Sequence, residues 1–121
     1  MRVFISQPMN GLSDEEIRSV RDKAIEEIKE IYHFFDKNNQ LEIVSTLDQR
    51  PHELLPKNAS RLWWIGRAIQ MLEDVDIIYM CEGWKNARGC RVERCVAMEY
   101  EISIQYQGER SASKEVPISL G

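Results

Sequence analysis

The run Asp76-Ile77-Ile78-Tyr79-Met80-Cys81 is apolar at nearly every position. Side chains of a strand alternate between two faces, so a run without polar alternation must bury both of them. Such a strand belongs at the centre of a parallel sheet, where the crossover connections lay helices over each face.

The rest of the chain supplies elements in the order that such a sheet needs. Arg2-Val3-Phe4-Ile5-Ser6 is short and apolar, and Gln7-Pro8-Met9-Asn10-Gly11 ends it, since Pro8 cannot donate to a ladder. Ser13 stands three residues before Glu16, the spacing of a reciprocal capping box, and predicts a helix start. Ile17, Val20, Ala24, Ile28, Ile31 and Phe35 then recur every three or four residues, predicting one amphipathic helix that the polar turn Asp36-Lys37-Asn38-Asn39 closes. Leu41-Glu42-Ile43-Val44 reads as a second strand, and Ser45 to Asn58, with Pro51 and Pro56, as a long loop expected near the site.

Leu62, Ile65, Ile69 and Leu72 predict a second helix with those four on its buried stripe. Its adjacent Trp63 and Trp64 cannot both face one core: either one covers a loop or subunit contact, or both are half-buried at the helix edge. After the central run, Glu82 to Gly89 forms a loop, a helix of about three turns runs from near Cys90 to Tyr100, and Ile102 to Tyr106 alternates like a last strand. Gln107 to Gly121 is a polar tail, expected to be loose apart from a docking Val116-Pro117-Ile118. The expectation is a single α/β domain over residues 1–106, with a 107–121 tail. It is a three-layer, flavodoxin- or Rossmann-like fold with a mostly parallel sheet of about four to five strands. Ligands of such sheets bind beyond the carboxyl ends of the strands, which selects the loops 6–11 and 82–89.

Composition removes several classes of function. With 121 residues there is room for one core, and 16 Lys and Arg against 20 Asp and Glu leave a net charge of −4. A nucleic-acid polymer held by bulk positive charge is therefore not expected as a partner. No stretch approaches the ~20 apolar residues of a membrane span, and the opening residues lack a signal-peptide pattern, so a cytoplasmic location is expected. Cys81, Cys90 and Cys95 have no paired spacing, and His33 and His52 are remote, so free thiols are expected and neither a metal site nor a cofactor is implied.

Local charge tells a different story from the total. Between residues 81 and 95, Lys85, Arg88, Arg91 and Arg94 stand against Glu82 and Glu93. Arg88 and Gly89 fall where a helix should begin, so free backbone N–H groups and the helix dipole would join a guanidinium in holding a phosphate or carboxylate. On charge alone, a solvated basic face is the simpler reading. Glu93 is expected in the first turn, on one face with Ala97 and Tyr100, and ionised beside Arg88, as a carboxylate nucleophile must be. An isolated Glu is equally at home in any first helical turn. The same surroundings would lower the thiol pKa of Cys90, and Trp84 either stacks on a planar base or covers the core.

Four segments carry a resemblance. Val3-Phe4-Ile5-Ser6-Gln7-Pro8-Met9-Asn10-Gly11, Asp14-Glu15-Glu16-Ile17, Leu62-Trp63-Trp64-Ile65-Gly66-Arg67 and above all Gly83-Trp84-Lys85-Asn86-Ala87-Arg88-Gly89-Cys90-Arg91-Val92-Glu93 make the chain resemble the nucleoside 2-deoxyribosyltransferase-like superfamily, over about residues 1–104. It looks most like the short, often phage- or prophage-encoded group of uncertain function. In characterised members the carboxylate four residues after the Gly of the last segment attacks the anomeric carbon, expels the base and forms a covalent glycosyl-enzyme. The resemblance puts that role on Glu93, in chemistry that parallels retaining glycosidases. It implies substrate contacts from Ser6, Gln7, Pro8, Met9, Gly11, Gly83, Trp84, Arg88, Gly89 and Cys90, and a homo-oligomer whose subunits complete one another's sites.

Three departures shape the expectation. Ala87 stands where characterised transferases carry an Asp that binds sugar hydroxyls; Arg88 before the Gly suggests a phosphate; and Arg94 replaces the His that often follows the Glu in the short group. The expected function is cleavage of an N-glycosidic bond or deoxyribosyl transfer, on a nucleoside or more fittingly a phosphate-bearing nucleotide. The alternative is a binding protein for a nucleotide derivative, a sensor or sponge without turnover. A third reading is a structural partner that docks through Trp63 and Trp64.

Overall fold

The computed structural model describes residues 1–49 and 61–109. Four strands, β1 (Arg2–Ser6), β2 (Glu42–Val44), β3 (Ile77–Met80) and β4 (Ser103–Tyr106), form one sheet in the order β2-β1-β3-β4. All three pairings are parallel, with Phe4 opposite Val44 and Ile78, and Ile78 opposite Ile104. The helices are α1 (Asp14–Ile31), α2 (His33–Lys37), α3 (Arg61–Met71) and α4 (Arg88–Glu99).

The two-residue period of the strands divides the core. Val3, Ile5, Ile77, Tyr79 and Cys81 pack against Ala24 and Ile28 of α1. Their neighbours Phe4, Ile78 and Met80, with Val44 and Ile104, pack on the other side against Ala68 of α3, Leu72, and Cys90 and Ala97 of α4. The domain is therefore a three-layer Rossmann-like α/β fold, and the unbroken apolar run of β3 is explained by cover on both faces.

Several expectations need correction. The first helix stops at Ile31: Tyr32 leaves helical geometry at φ −104°, ψ 40°, and the separate one-turn-and-a-half α2 buries none of its residues, so Phe35 does not belong to the core stripe. Ile31-Tyr32-His33-Phe34-Phe35 is a run of β-branched and aromatic residues, weak helix formers against which the apolar period alone did not prevail. The α3 stripe is also displaced. Leu62 is 80% exposed and Ile69 is exposed, while Ala68 and Leu72 are buried and Ile65 packs against them. Residues 65, 68 and 72 make a helical stripe of their own, and the small Ala68 lets the neighbouring helix approach. Trp63 and Trp64 are both half-buried and meet edge to face, with centroids 5.0 Å apart.

Gln107 is not loose. Its backbone N–H continues the β3–β4 ladder to the Met80 carbonyl, its side-chain oxygen accepts from the Glu82 N–H at 2.7 Å, and its amide donates to Glu27 of α1 at 2.8 Å. Residues 110–121, with Val116-Pro117-Ile118, lie outside the described residues, as do residues 50–58 of the expected long loop. Among the described residues no helix is long and apolar enough to cross a membrane.

Candidate active site

The chain runs from β1 through α1 to β2 on one side of β1, then crosses by α3 to β3 on the other. That reversal places the topological switch point between β1 and β3, with a crevice at their carboxyl ends. The Cys81 N–H donates to the Ser6 carbonyl at 2.9 Å, extending the ladder to the last residue before the loops. A Cβ built on Gly83 would lie 3.4 Å from the Pro8 ring, so the loops after β1 and β3 are in contact. Gly83, at φ +88°, adopts the left-handed conformation that glycine alone takes at little cost.

Into this crevice α4 brings Glu93. The Ser6 hydroxyl donates to Glu93 Oε1 at 2.6 Å, and both groups are buried, at 1% and 8% exposure. Ser6 is placed by β1, whose alternation turns residue 6 to the same side as Phe4, beneath α4. Glu93 is placed by the inward stripe Cys90, Glu93, Ala97.

Electrostatics here differ from the expectation. α4 begins at Arg88, with Ala87 as an N-cap that makes no side-chain hydrogen bond, so Glu93 lies in the second turn rather than the first. Five residues at about 100° each separate Arg88 from Glu93 by roughly 140° around the axis. Arg88 is exposed while Glu93 faces the sheet, and Tyr100, at the C-cap, is exposed as well. Burial pushes the Glu93 carboxyl up to about 7, against the pull of the Ser6 hydrogen bond. Glu93 is thus not held fully ionised at neutral pH. Cys90 is likewise buried, and burial pushes its thiol up to about 11 despite a hydrogen bond with Ser6 and the nearby charge of Arg91. It is not an activated thiol.

The remaining expected site residues surround the pair. The Gln7 side chain is buried and donates to the Ile17 carbonyl at 2.9 Å; Pro8 and Met9 are half-buried, and Gly11 is exposed at φ +80°. Gly89 is exposed beside Arg88 on the first turn of α4. Trp84 is half-buried and packs against the core, with Tyr106 at 5.7 Å and the Arg94 guanidinium 4.7 Å from the ring centroid. Arg94 Nε also donates to the Tyr106 hydroxyl at 2.8 Å, so Arg94 belongs to an aromatic clasp rather than to the basic patch. Lys85, Arg88 and Arg91 remain exposed, Arg91 donating to the Lys85 carbonyl.

A cleft of about 260 Å3 opens beside this crevice, lined by Met80, Glu82, Gly83, Trp84, Lys85, Asn86, Tyr106 and Gln107. A larger concavity of about 590 Å3 lies over Asp14, Glu15, Arg18, Ser19 and Asp22 on the outer face of α1. Every residue lining the larger one is exposed, so the buried chemistry is at the crevice. Tyr106 and Gln107 were missed because contacts between β4 and the loop after β3 leave no periodic signal. Among the described residues no three His, Cys, Asp or Glu side chains gather as a metal would require.

Compared with known proteins, residues 1–106 match a family described as a domain of unknown function (DUF4406). No curated protein and no solved structure matches the chain.

Proposed function

The chain belongs to the DUF4406 family, and we propose that it acts on the N-glycosidic bond of a nucleoside or nucleotide, with Glu93 as nucleophile. The observation that carries this reading is the buried 2.6 Å Ser6–Glu93 hydrogen bond at the switch point of a parallel sheet. The resemblance to nucleoside 2-deoxyribosyltransferases adds the reaction class. The Ser6 hydroxyl occupies one carboxylate oxygen and orients the other. In the ionised form that second oxygen attacks the anomeric carbon while the C–N bond breaks, and the base departs with the bonding electrons and takes up a proton. Water or a second base then releases the sugar from Glu93. Lys85, Arg88, Arg91 and the uncapped first turn of α4 favour a phosphate-bearing substrate. The resemblance also implies a homo-oligomer.

A binding protein for a nucleotide derivative is the second reading. It is favoured by Ala87, which offers no carboxylate to sugar hydroxyls, and by the burial that keeps Glu93 partly protonated. One experiment separates the two. Nucleosides and 5′-monophosphates are incubated with the wild type and with Glu93→Gln, and free base is measured by chromatography. Release by the wild type alone supports the glycosidic reading. Thermal stabilisation without release by either protein supports binding, and neither effect with any compound rejects both.

A further inference from the structure

We propose that Gln107 is a positioning residue for the basic loop after β3, acting through a hydrogen-bonded clamp that runs from α1 to the Glu82 backbone and sets affinity for the phosphate of the ligand. The assignment rests on the phosphate-bearing substrate proposed above. Strand β3 ends at Met80, and the parallel ladder reaches no further than the Cys81 N–H, which donates to Ser6. Glu82 is the first residue past that ladder, and its N–H is taken up by a side chain: Gln107 Oε1 accepts it at 2.7 Å.

Gln107 is itself held from two directions. Its own N–H donates to the Met80 carbonyl at 2.9 Å, so the end of β4 carries it alongside the end of β3. Its Nε2 donates to Glu27 Oε1 of α1 at 2.8 Å. A backbone N–H only donates and a carboxylate oxygen accepts, so one orientation of the amide fits both neighbours. Glu27 is fixed in turn, because Tyr79, fully buried in β3, donates its hydroxyl to Oε2 at 3.2 Å. The strand holds the carboxylate, the carboxylate holds the amide, and the amide holds the start of the loop.

What is fixed at Glu82 is passed along the loop. The N–H groups of Trp84, Asn86 and Ala87 donate back to the carbonyls of Cys81, Gly83 and Trp84, and the Arg91 guanidinium reaches the Lys85 carbonyl at 2.8 Å. The loop is thus bonded to itself and to the first turn of α4, and placing its first residue places the whole. It presents the exposed cations Lys85, Arg88 and Arg91. Cations already held in place lose less freedom on binding an anion than loose ones do. The clamp therefore serves the charged part of the ligand. It lies on the α1 side of the sheet with Tyr79, whereas the Ser6–Glu93 pair lies beneath α4.

The test reverses the polarity of the clamp. Gln107→Glu sets one carboxylate against another and breaks it. Adding Glu27→Gln restores it with donor and acceptor exchanged: the new amide donates to the new carboxylate, which still accepts from the Glu82 N–H, and the Tyr79 hydroxyl keeps an acceptor. Dissociation constants of the adenosine, guanosine, cytidine and uridine 5′-monophosphates, their 2′-deoxy forms and the matching nucleosides are measured by calorimetry. The parent is Glu93→Gln, which prevents turnover. Gln107→Glu is expected to weaken the tightest-binding monophosphate roughly ten-fold and its nucleoside less than about two-fold, and the double substitution to regain the parent's affinity. A parent without preference for the monophosphate, an equal loss for the nucleoside, no loss at all, or a loss that Glu27→Gln does not restore overturns the assignment and leaves the nucleotide reading standing. Failure of every compound to bind the parent overturns both. Melting curves establish that each variant is folded. If Gln107→Glu is not, Gln107→Leu, which removes the clamp without adding charge, is held to the same loss of phosphate preference.

Discussion

Ser6 and Glu93 are 87 positions apart in sequence, and the hydrogen bond between them governs how the carboxylate titrates. Burial raises the Glu93 pKa to about 7 and the Ser6 hydroxyl opposes that rise. A nucleophilic carboxylate must be ionised, so the rate of base release is expected to climb with pH through about 7 and to level off above it. Removing the hydroxyl in Ser6→Ala takes away a donor that favours the charged form. The midpoint of the pH–rate profile should then move up by roughly one pH unit, as measured on the same substrate. A midpoint that stays in place would mean that Ser6 does not touch the reacting carboxylate. At this scale the segment Gly83 to Glu93 singles out Glu93 as a candidate, whereas its expected ionised state is corrected by its burial. Charge is visible in a sequence, whereas the face that a helix turns to the sheet is decided by packing between distant segments. α4 begins two residues earlier than expected, so Glu93 lies in the second turn, and the sheet beneath the stripe Cys90, Glu93, Ala97 buries it.

Elements were readable where a local signal agreed with tertiary packing. The Ser13–Glu16 capping box forms as its spacing predicts, with both hydrogen bonds at 3.1 Å. Ser13→Ala is expected to lower stability by about 1 kcal/mol in urea unfolding. The α3 face was misread because Ile65 and Leu72 belong to two overlapping stripes, one through Leu62 and Ile69 and the other through Ala68. Hydrophobicity favours the first, and the close approach of α4 selects the second: a Cβ on Gly89 would lie 4.0 Å from Ile65. The two stripes predict opposite outcomes for single substitutions. Leu62→Ser should change stability by no more than about 0.5 kcal/mol, because the side chain is already in water. Leu72→Ala should cost about 2–5 kcal/mol through lost burial and the cavity left behind. Comparable losses at the two positions would show that Leu62 is covered, by a part of the chain or by another subunit.

For the molecule as a whole, the order of strands and helices was enough to establish the class of fold, since an unbroken apolar run needs cover on both faces and parallel strands need crossovers. Strand order was not readable: which side of β1 each crossover takes depends on packing between distant segments. That choice is what creates the crevice between β1 and β3, and it obliges the sheet to bury a carboxyl group beneath α4. The consequence reaches the stability of the entire domain. The Glu93 pKa is about 7 in the folded chain against an ordinary value of 4.5, so the folded state binds this proton more tightly than the unfolded state. The resulting stabilisation is fully present below pH 4.5 and is lost as pH rises through 7, a change of about 3 kcal/mol. Gln in place of Glu93 keeps the shape of the protonated carboxyl and never ionises. Glu93→Gln should therefore melt close to the wild type near pH 4.5 and increasingly above it as pH rises, with the gap levelling off beyond pH 8. Other titrating groups contribute equally to both proteins and cancel in the difference. Melting temperatures taken across that range decide the matter, and a gap independent of pH would place Glu93 in contact with solvent in the folded domain.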